Sequence, residues 1–318
     1  MLAAGQLEAQ DSQQQATVFN VQRFSIQDGP GIRTTFFFKG CPLRCHWCCN
    51  PESQWQGPEV AHNDSLCQKC HGSPCVRACP VSAIELSETG VAINRKACTN
   101  CGLCVPACVY GALAIYGRQT TVGELIEEAR LDSPYYSTSG GGVTTCGGEP
   151  LVQPSAVAAL FRISKAASFH TCLYTCGYGK TAELERILAW TDLVYFDLKI
   201  HDDQSHRYYT GKSNRLILRN LAVVAASAVP LCIRVPVIPG VTEESIGPIA
   251  DLVSSLPRSA GETSIALLPY HRFGIGKYRM LDRTYKLPDL RPPDAHTLRK
   301  LLEVCQAKGL VARVEGED

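Results

Sequence analysis

Twelve of the chain's seventeen cysteines lie between Cys41 and Cys108, leaving only five for the other three-quarters of the sequence. This clustering limits the fold more than any other feature. A segment so rich in thiols and so short of helical periodicity is expected to be held by disulfides, zinc or iron–sulfur clusters. The N-terminus, MLAAGQLEAQDSQQQ, lacks the basic start and apolar core of a signal peptide. The expected compartment is therefore the reducing cytoplasm, where metal is a better cross-link than disulfide. Residues 1–16 read as a polar, mobile tail.

Outside the cysteine-rich stretch the sequence alternates regularly. RTTFFF, GGVTT, HTCLYT, DLVYFDLK, LCIRVPV and TSIALLP read as strands, and each of the last five is followed by an amphipathic helical stretch. In TVGELIEEARLD, for example, Leu125, Ile126 and Ala129 share one face. Strand–helix alternation of this kind predicts a parallel α/β architecture. About six βα units are too few for a closed eight-fold barrel, so the expected fold is a partial (βα)6 TIM-like barrel. It would be built from residues 17–59 and 116–318, with residues 60–115 as a cysteine-rich insertion. In such folds chemistry gathers at the C-terminal ends of the strands. The first cysteine loop, CGGEP and DLK all fall at those ends.

Composition mainly excludes. With 45% hydrophobic and 19% charged residues, the balance is that of an ordinary globular protein. A net charge of +1 leaves no electrostatic footprint for nucleic acid or an anionic membrane. No apolar run approaches the roughly 20 residues of a membrane span. A monomer with neither nucleic acid nor membrane as partner is expected.

The first loop spaces its thiols as C-x3-C-x2-C: Cys41, Cys45 and Cys48. Structural zinc calls for four tetrahedral ligands, usually in C-x2-C pairs. Three thiolates in one loop suit a 4Fe–4S cluster with one iron open for chemistry. Cys49 reads as a bystander, since adjacent thiolates rarely reach one cluster together. The run Cys98, Cys101, Cys104, Cys108 has the C-x2-C-x2-C-x3-C spacing of bacterial ferredoxins. Cys67, Cys70, Cys75 and Cys79 repeat it with two extra residues in the middle gap, and Pro80 follows. In two-cluster ferredoxins the fourth cysteine of each run crosses to the other cluster. The prediction is one cluster on Cys67, Cys70, Cys75 and Cys108, and another on Cys98, Cys101, Cys104 and Cys79. The insertion would then be a bacterial-ferredoxin-like two-cluster domain. Of the other cysteines, Cys172, Cys232 and Cys305 read as small buried hydrophobes, while Cys146 and Cys176 sit at strand ends where they could line a site.

The cysteine loop with Trp47 before its last thiol, followed by GGEP after the next strand, resembles the radical S-adenosylmethionine (SAM) superfamily. More narrowly, DGPGIRTTFFFKGCPLRCHWCCNPES, SGGGVTTCGGEP, DLK and LLPYH look like the glycyl radical enzyme activating enzymes, in the subgroup with two auxiliary clusters. The resemblance covers nearly the whole chain from about residue 18. It implies three 4Fe–4S clusters in total and SAM chelated to the open iron. Reductive cleavage would give a 5′-deoxyadenosyl radical that takes a hydrogen from a glycine of a partner glycyl radical enzyme. Reduced flavodoxin or ferredoxin would supply the electron. By the same resemblance Gly147, Gly148 and Glu149 lie at the methionine amino group and Lys199 near its carboxylate, with Trp47, Asp197, Arg234 and His271 in the same pocket. Cys41, Cys45, Cys48 and Lys199 would carry the reaction. Asp28 and GPGIR resemble the segment next to the target glycine. One departure is Tyr174, in YTCG, where the family often has a carboxylate that helps bind a monovalent cation.

The partners of this subgroup are lyases and dehydratases of small polar substrates, with an isethionate or choline lyase the leading expectation. A competing expectation is a radical SAM enzyme acting on a small molecule or peptide through auxiliary clusters. Such maturases often carry their extra cysteines after the barrel, whereas only Cys232 and Cys305 follow Cys176 here. A plain electron carrier leaves the three-cysteine loop and the long α/β scaffold unexplained.

Overall fold

Thirteen strands form among the described residues. They are β1 (Gln15–Ser25), β2 (Arg33–Phe38), β3 (Glu59–His62), β4 (Ile84–Ser87), β5 (Gly90–Ile93), β6 (Leu113–Tyr116), β7 (Arg118–Thr121), β8 (Gly142–Gly147), β9 (His170–Thr175), β10 (Leu193–Asp197), β11 (Leu231–Val237), β12 (Thr263–Pro269) and β13 (Val311–Val314). The structure, a computed structural model, describes residues 4–87, 90–257 and 262–316.

Nine strands make one sheet in the order β13-β12-β11-β10-β9-β8-β2-β1-β7. From β2 to β13 every pairing is parallel. β1 then pairs antiparallel with both β2 and β7. This is an α/β fold with a mostly parallel central sheet. The alternation of side chains along each strand explains it. Phe36, Phe38, Val143, Leu173, Phe196, Ile233, Val235 and Ile265 face the helices and join the main core. The opposite face carries Arg33, Cys172, Tyr195, Cys232 and Ala266, also buried. A strand covered on both sides reads as a continuous apolar run, which is why TTFFF and LCIRVPV stood out.

The helices follow their sequence signals. Thr121 and Glu124 form a capping box at the start of the helix Val122–Arg130, and Leu125, Ile126 and Ala129 are all buried. Pro154 opens the helix Pro154–Ala166, whose Val157, Leu160 and Phe161 are fully buried. Each such side chain contributes about 1.5–3 kcal/mol by leaving water.

The expected mobile tail over residues 1–16 needs correction. Ala4–Ser12 form a helix and Gln15 already starts β1. The helix has no apolar stripe to announce it; a charge pair ties it down instead. Buried Asp11 accepts two bonds from Arg162, at 2.6 and 2.7 Å.

Residues 59–116 stand apart as two small antiparallel pairs, β3 with β6 and β4 with β5. They are tied to the segment after β12. Arg283 pairs with Glu59 at 2.6 Å, Arg95 with Asp282 at 2.7 Å, and Arg95 also donates to the Met280 carbonyl. No helix among the described residues is long and apolar enough to cross a membrane.

Candidate active site and cysteine pockets

The loop after β2 carries Cys41, Cys45 and Cys48. Its position is set by backbone packing. Gly148 N donates to Phe38 O, and Glu149 N to Gly40 O, both at 2.8 Å. The two segments approach so closely that a Cβ on Gly148 would lie 2.2 Å from Gly40 O. Gly147 has φ +103°, a region that disfavours other residues, and its Cβ would meet Phe38 backbone at 2.8 Å. Both glycines of CGGEP are therefore required by the contact between strand ends, before any ligand is considered.

Glu149 is fully buried and its oxygens are engaged. Oε1 accepts from Leu151 N (3.0 Å) and the Thr175 hydroxyl (2.6 Å), and Oε2 accepts from Cys176 N (2.7 Å). Burial raises its pKa, against the pull of these donors. It works as a strut between the ends of β8 and β9, a role that the sequence pattern alone did not reveal.

Cys45 is buried and packs with Leu43, Trp47, Cys176, Tyr270 and Tyr278, with Cys41 and Cys48 against the same cluster. Burial pushes all three thiols up to about 12, and each feels at least one of the other two. Metal binding must release these protons, and a cluster's positive iron offsets what burial costs the thiolates. Cys49 is exposed. The segment after β12 backs the loop: a Cβ on Gly274 would lie 2.8 Å from Cys49 Cα. Lys277 Nζ reaches Asn50 Oδ1 at 2.9 Å and Glu52 Oε1 at 2.5 Å. This segment, with its helix Ile275–Met280, was not legible as part of the site.

Asp197 ends β10, and Lys199 Nζ pairs with its Oδ2 at 3.1 Å. Burial opposes the lysine's charge, but Asp197 and the thiols of Cys45 and Cys176 outweigh it and raise its pKa. Arg234 lies opposite Asp197 in register on β11. Its guanidinium sits 4.5 Å over the Tyr174 ring, and its buried Nε has no partner. Tyr174 thus meets Arg234 with a ring face where a carboxylate would have offered a salt bridge. The Tyr174 hydroxyl donates to Gln27 O at 3.3 Å. Asp28 accepts from Ser25 (2.5 Å) and Thr35 (2.8 Å) at the other end of β2. Trp47 is buried against Tyr209. His271 is exposed just past β12 and stacks on Phe273, their ring centroids 4.5 Å apart. Cys146 and Cys176 are buried near the strand ends, whereas Cys305 belongs to the main core.

The insertion holds two recesses. One is lined by Cys67, Cys70, Cys75 and Cys108. The other is lined by Cys79, Cys98, Cys101 and Cys104. The last cysteine of each run lies in the recess of the other run. The two C-x2-C turns also match locally: Lys69 (φ 46°) and Asn100 (φ 57°) take the same left-handed conformation before the second cysteine. Backbone amides point at sulfur, with Ala83 N donating to Cys79 Sγ at 3.1 Å and Asn100 N to Cys98 Sγ at 3.4 Å. Among the described residues, no three His, Cys, Asp or Glu side chains converge closely enough for a single metal ion.

The radical SAM superfamily model matches residues 35–253. The isethionate sulfite-lyase activating enzyme of Oleidesulfovibrio alaskensis is 42% identical over 86% of this chain and 89% of its own length. The (2S)-3-sulfopropanediol sulfolyase activating enzyme of Bilophila wadsworthia is 41% identical over 91% of this chain and 96% of its own. The choline trimethylamine-lyase activating enzyme of O. alaskensis is 38% identical over 86% of this chain and 90% of its own. A radical SAM enzyme uses SAM and a 4Fe–4S cluster, and three clustered thiols beside a charged Lys–Asp pair fit both. The chain belongs to the glycyl radical enzyme activating enzymes of the radical SAM superfamily.

Proposed function

We propose that this chain installs the glycyl radical of a lyase that cleaves a small sulfonate, using three 4Fe–4S clusters. The observation that carries the cluster count is the division of eight cysteines into two recesses, each set the one that ferredoxin spacing requires. Residues 60–115 act as a ferredoxin-like domain, and residues 17–59 with 116–318 act as a partial barrel.

Bound SAM and the loop cluster supply the radical chemistry by one-electron cleavage of a C–S bond. The chain's own residues hold and shield that chemistry. Cys41, Cys45 and Cys48 would hold the loop cluster. The Gly147–Gly148 backbone, freed of side chains, lies along the methionine end, while Glu149 keeps that backbone in place. Lys199, held charged by Asp197, receives the carboxylate. Arg234 offers its unpartnered Nε, and Trp47 and His271 close the pocket. The wall of Leu43, Tyr270, Tyr278 and Tyr285 keeps water from the reacting centre. Asp28 and the following glycines border the partner's glycine loop. The protein is a cytoplasmic monomer that takes electrons from reduced flavodoxin or ferredoxin through the auxiliary clusters.

The preference for a sulfonate lyase rests on the relatives. Three isethionate lyase activators are 42%, 41% and 38% identical and a sulfopropanediol lyase activator 41%, beside 38% for the choline enzyme. The test combines SAM cleavage with partner radical formation. Reconstituted, reduced wild type should release 5′-deoxyadenosine, and Cys45→Ala should lose at least a hundredfold. A glycyl radical EPR doublet should appear on an isethionate or sulfopropanediol lyase and not on a choline lyase. A doublet on the choline lyase alone would overturn the partner assignment.

A further inference from the structure

The two recesses of the insertion are matched in their thiols and unmatched in what surrounds them. β3 lies across both. Val60 and His62 are two apart on that strand and so share a face. Val60 lines the recess of Cys79, Cys98, Cys101 and Cys104, and His62 lines that of Cys67, Cys70, Cys75 and Cys108. His62 stands opposite Leu113 on β6, which lines the same recess. Gly90 locates it against a ligand. A Cβ there would meet Cys67 Sγ at 3.5 Å and His62 Cε1 at 3.6 Å, so ring and sulfur border the same point. Next to that carbon, Nε2 is buried and has no hydrogen-bond partner. Leaving such a group unpaired costs about 1–3 kcal/mol, so a partner inside the recess is strongly favoured.

We propose that His62 Nε2–H donates a hydrogen bond to the cluster in the Cys67 recess, at the Cys67 thiolate or an adjacent sulfide, and raises that cluster's reduction potential. His62 is a positioning and tuning residue, outside the ligand set. The inference rests on the two-cluster reading above. Hydrogen bonds to sulfur and local polarity are among the levers that set a cluster's potential. Reduction places one electron from an external donor such as dithionite on the cluster. The proton stays on Nε2, and the bond strengthens as negative charge grows.

The test is an EPR-monitored redox titration of the full-length reconstituted protein. His62→Leu should keep the wild-type iron content and lower the potential of one auxiliary signal only. Its reduced-to-oxidised ratio at the wild-type midpoint should fall about tenfold, as expected for one hydrogen bond to a charged group. His62→Gln, which keeps an N–H donor, should restore part of the shift and also covers any loss of folding in the leucine variant. Unchanged potentials in both variants would overturn the proposal, as expected if solvent were the imidazole's sole partner. Equal shifts of both auxiliary signals would overturn it as well. Cys67→Ala and Cys108→Ala controls separate the two levels. If neither loses a cluster's worth of iron, the ligand assignment fails, and the proposal with it.

Discussion

The parallel sheet and the cysteine-rich insertion are stabilised by different means. The sheet packs large side chains such as Phe36, Phe161, Phe196 and Leu173 on one continuous core. Among the described residues, the insertion's own hydrophobic centre is small: Val60, Ile84, Leu113 and two cysteines, Cys75 and Cys104. A unit of fewer than sixty residues with so few buried aliphatic side chains needs a staple. On the three-cluster reading proposed above, the same molecule has one region folded by the hydrophobic effect and one folded by what its thiols hold.

The largest effect should come from withholding iron. Hydrogen exchange on protein kept free of iron should show protection lost by a hundredfold or more across 60–116, while β8 to β12 stay protected. Equal protection in both regions would break the contrast. The sheet has its own point of failure. Phe161→Ala should lower unfolding stability by about 3–5 kcal/mol, read by denaturant titration, with little effect on auxiliary-cluster iron content. A smaller effect tests charge burial where the two regions meet. Burial lowers Lys39 to about 8, and its Nζ donates to Glu52 O at 2.6 Å. The unfolded chain keeps its proton up to the ordinary lysine value and so binds more protons than the fold between those limits. Stability should therefore rise with pH from about 8 to about 10.5, and the difference between wild type and Lys39→Met should carry that slope. A flat difference across this range would show that Lys39 stays charged. The smallest effect is expected at the surface, where Glu183→Gln, breaking the exposed pair with Arg186, should change stability by under about 0.5 kcal/mol.

Much of this was legible because periodicity and spacing are local properties. The parallel strands announced themselves through β-branched and aromatic runs between amphipathic helices. The grouping of Cys67 with Cys108 and of Cys79 with Cys98 around common recesses was legible from the ferredoxin spacing of the two runs. What escaped notice lacks such a repeat. The helix Ala4–Ser12 has no apolar stripe and relies on Asp11 meeting Arg162, far away in sequence. The helix Ile275–Met280 is short, and its importance comes from Lys277 and Gly274 contacting the cysteine loop. Glu149 looked like a ligand-side carboxylate by resemblance, yet its hydrogen bonds run to Leu151, Thr175 and Cys176. His62 sits in no motif at all; only the fold places it beside Cys67.

The close approach of Gly148 to Gly40 has a consequence for engineering. A gap too narrow for one methyl group means that the cysteine loop is seated by main chain against main chain. Transplanting the loop alone into another scaffold would lose its seat. Any portable unit must at least carry residues 38–49 together with 147–149, with Gly147 and Gly148 left unmutated in any library.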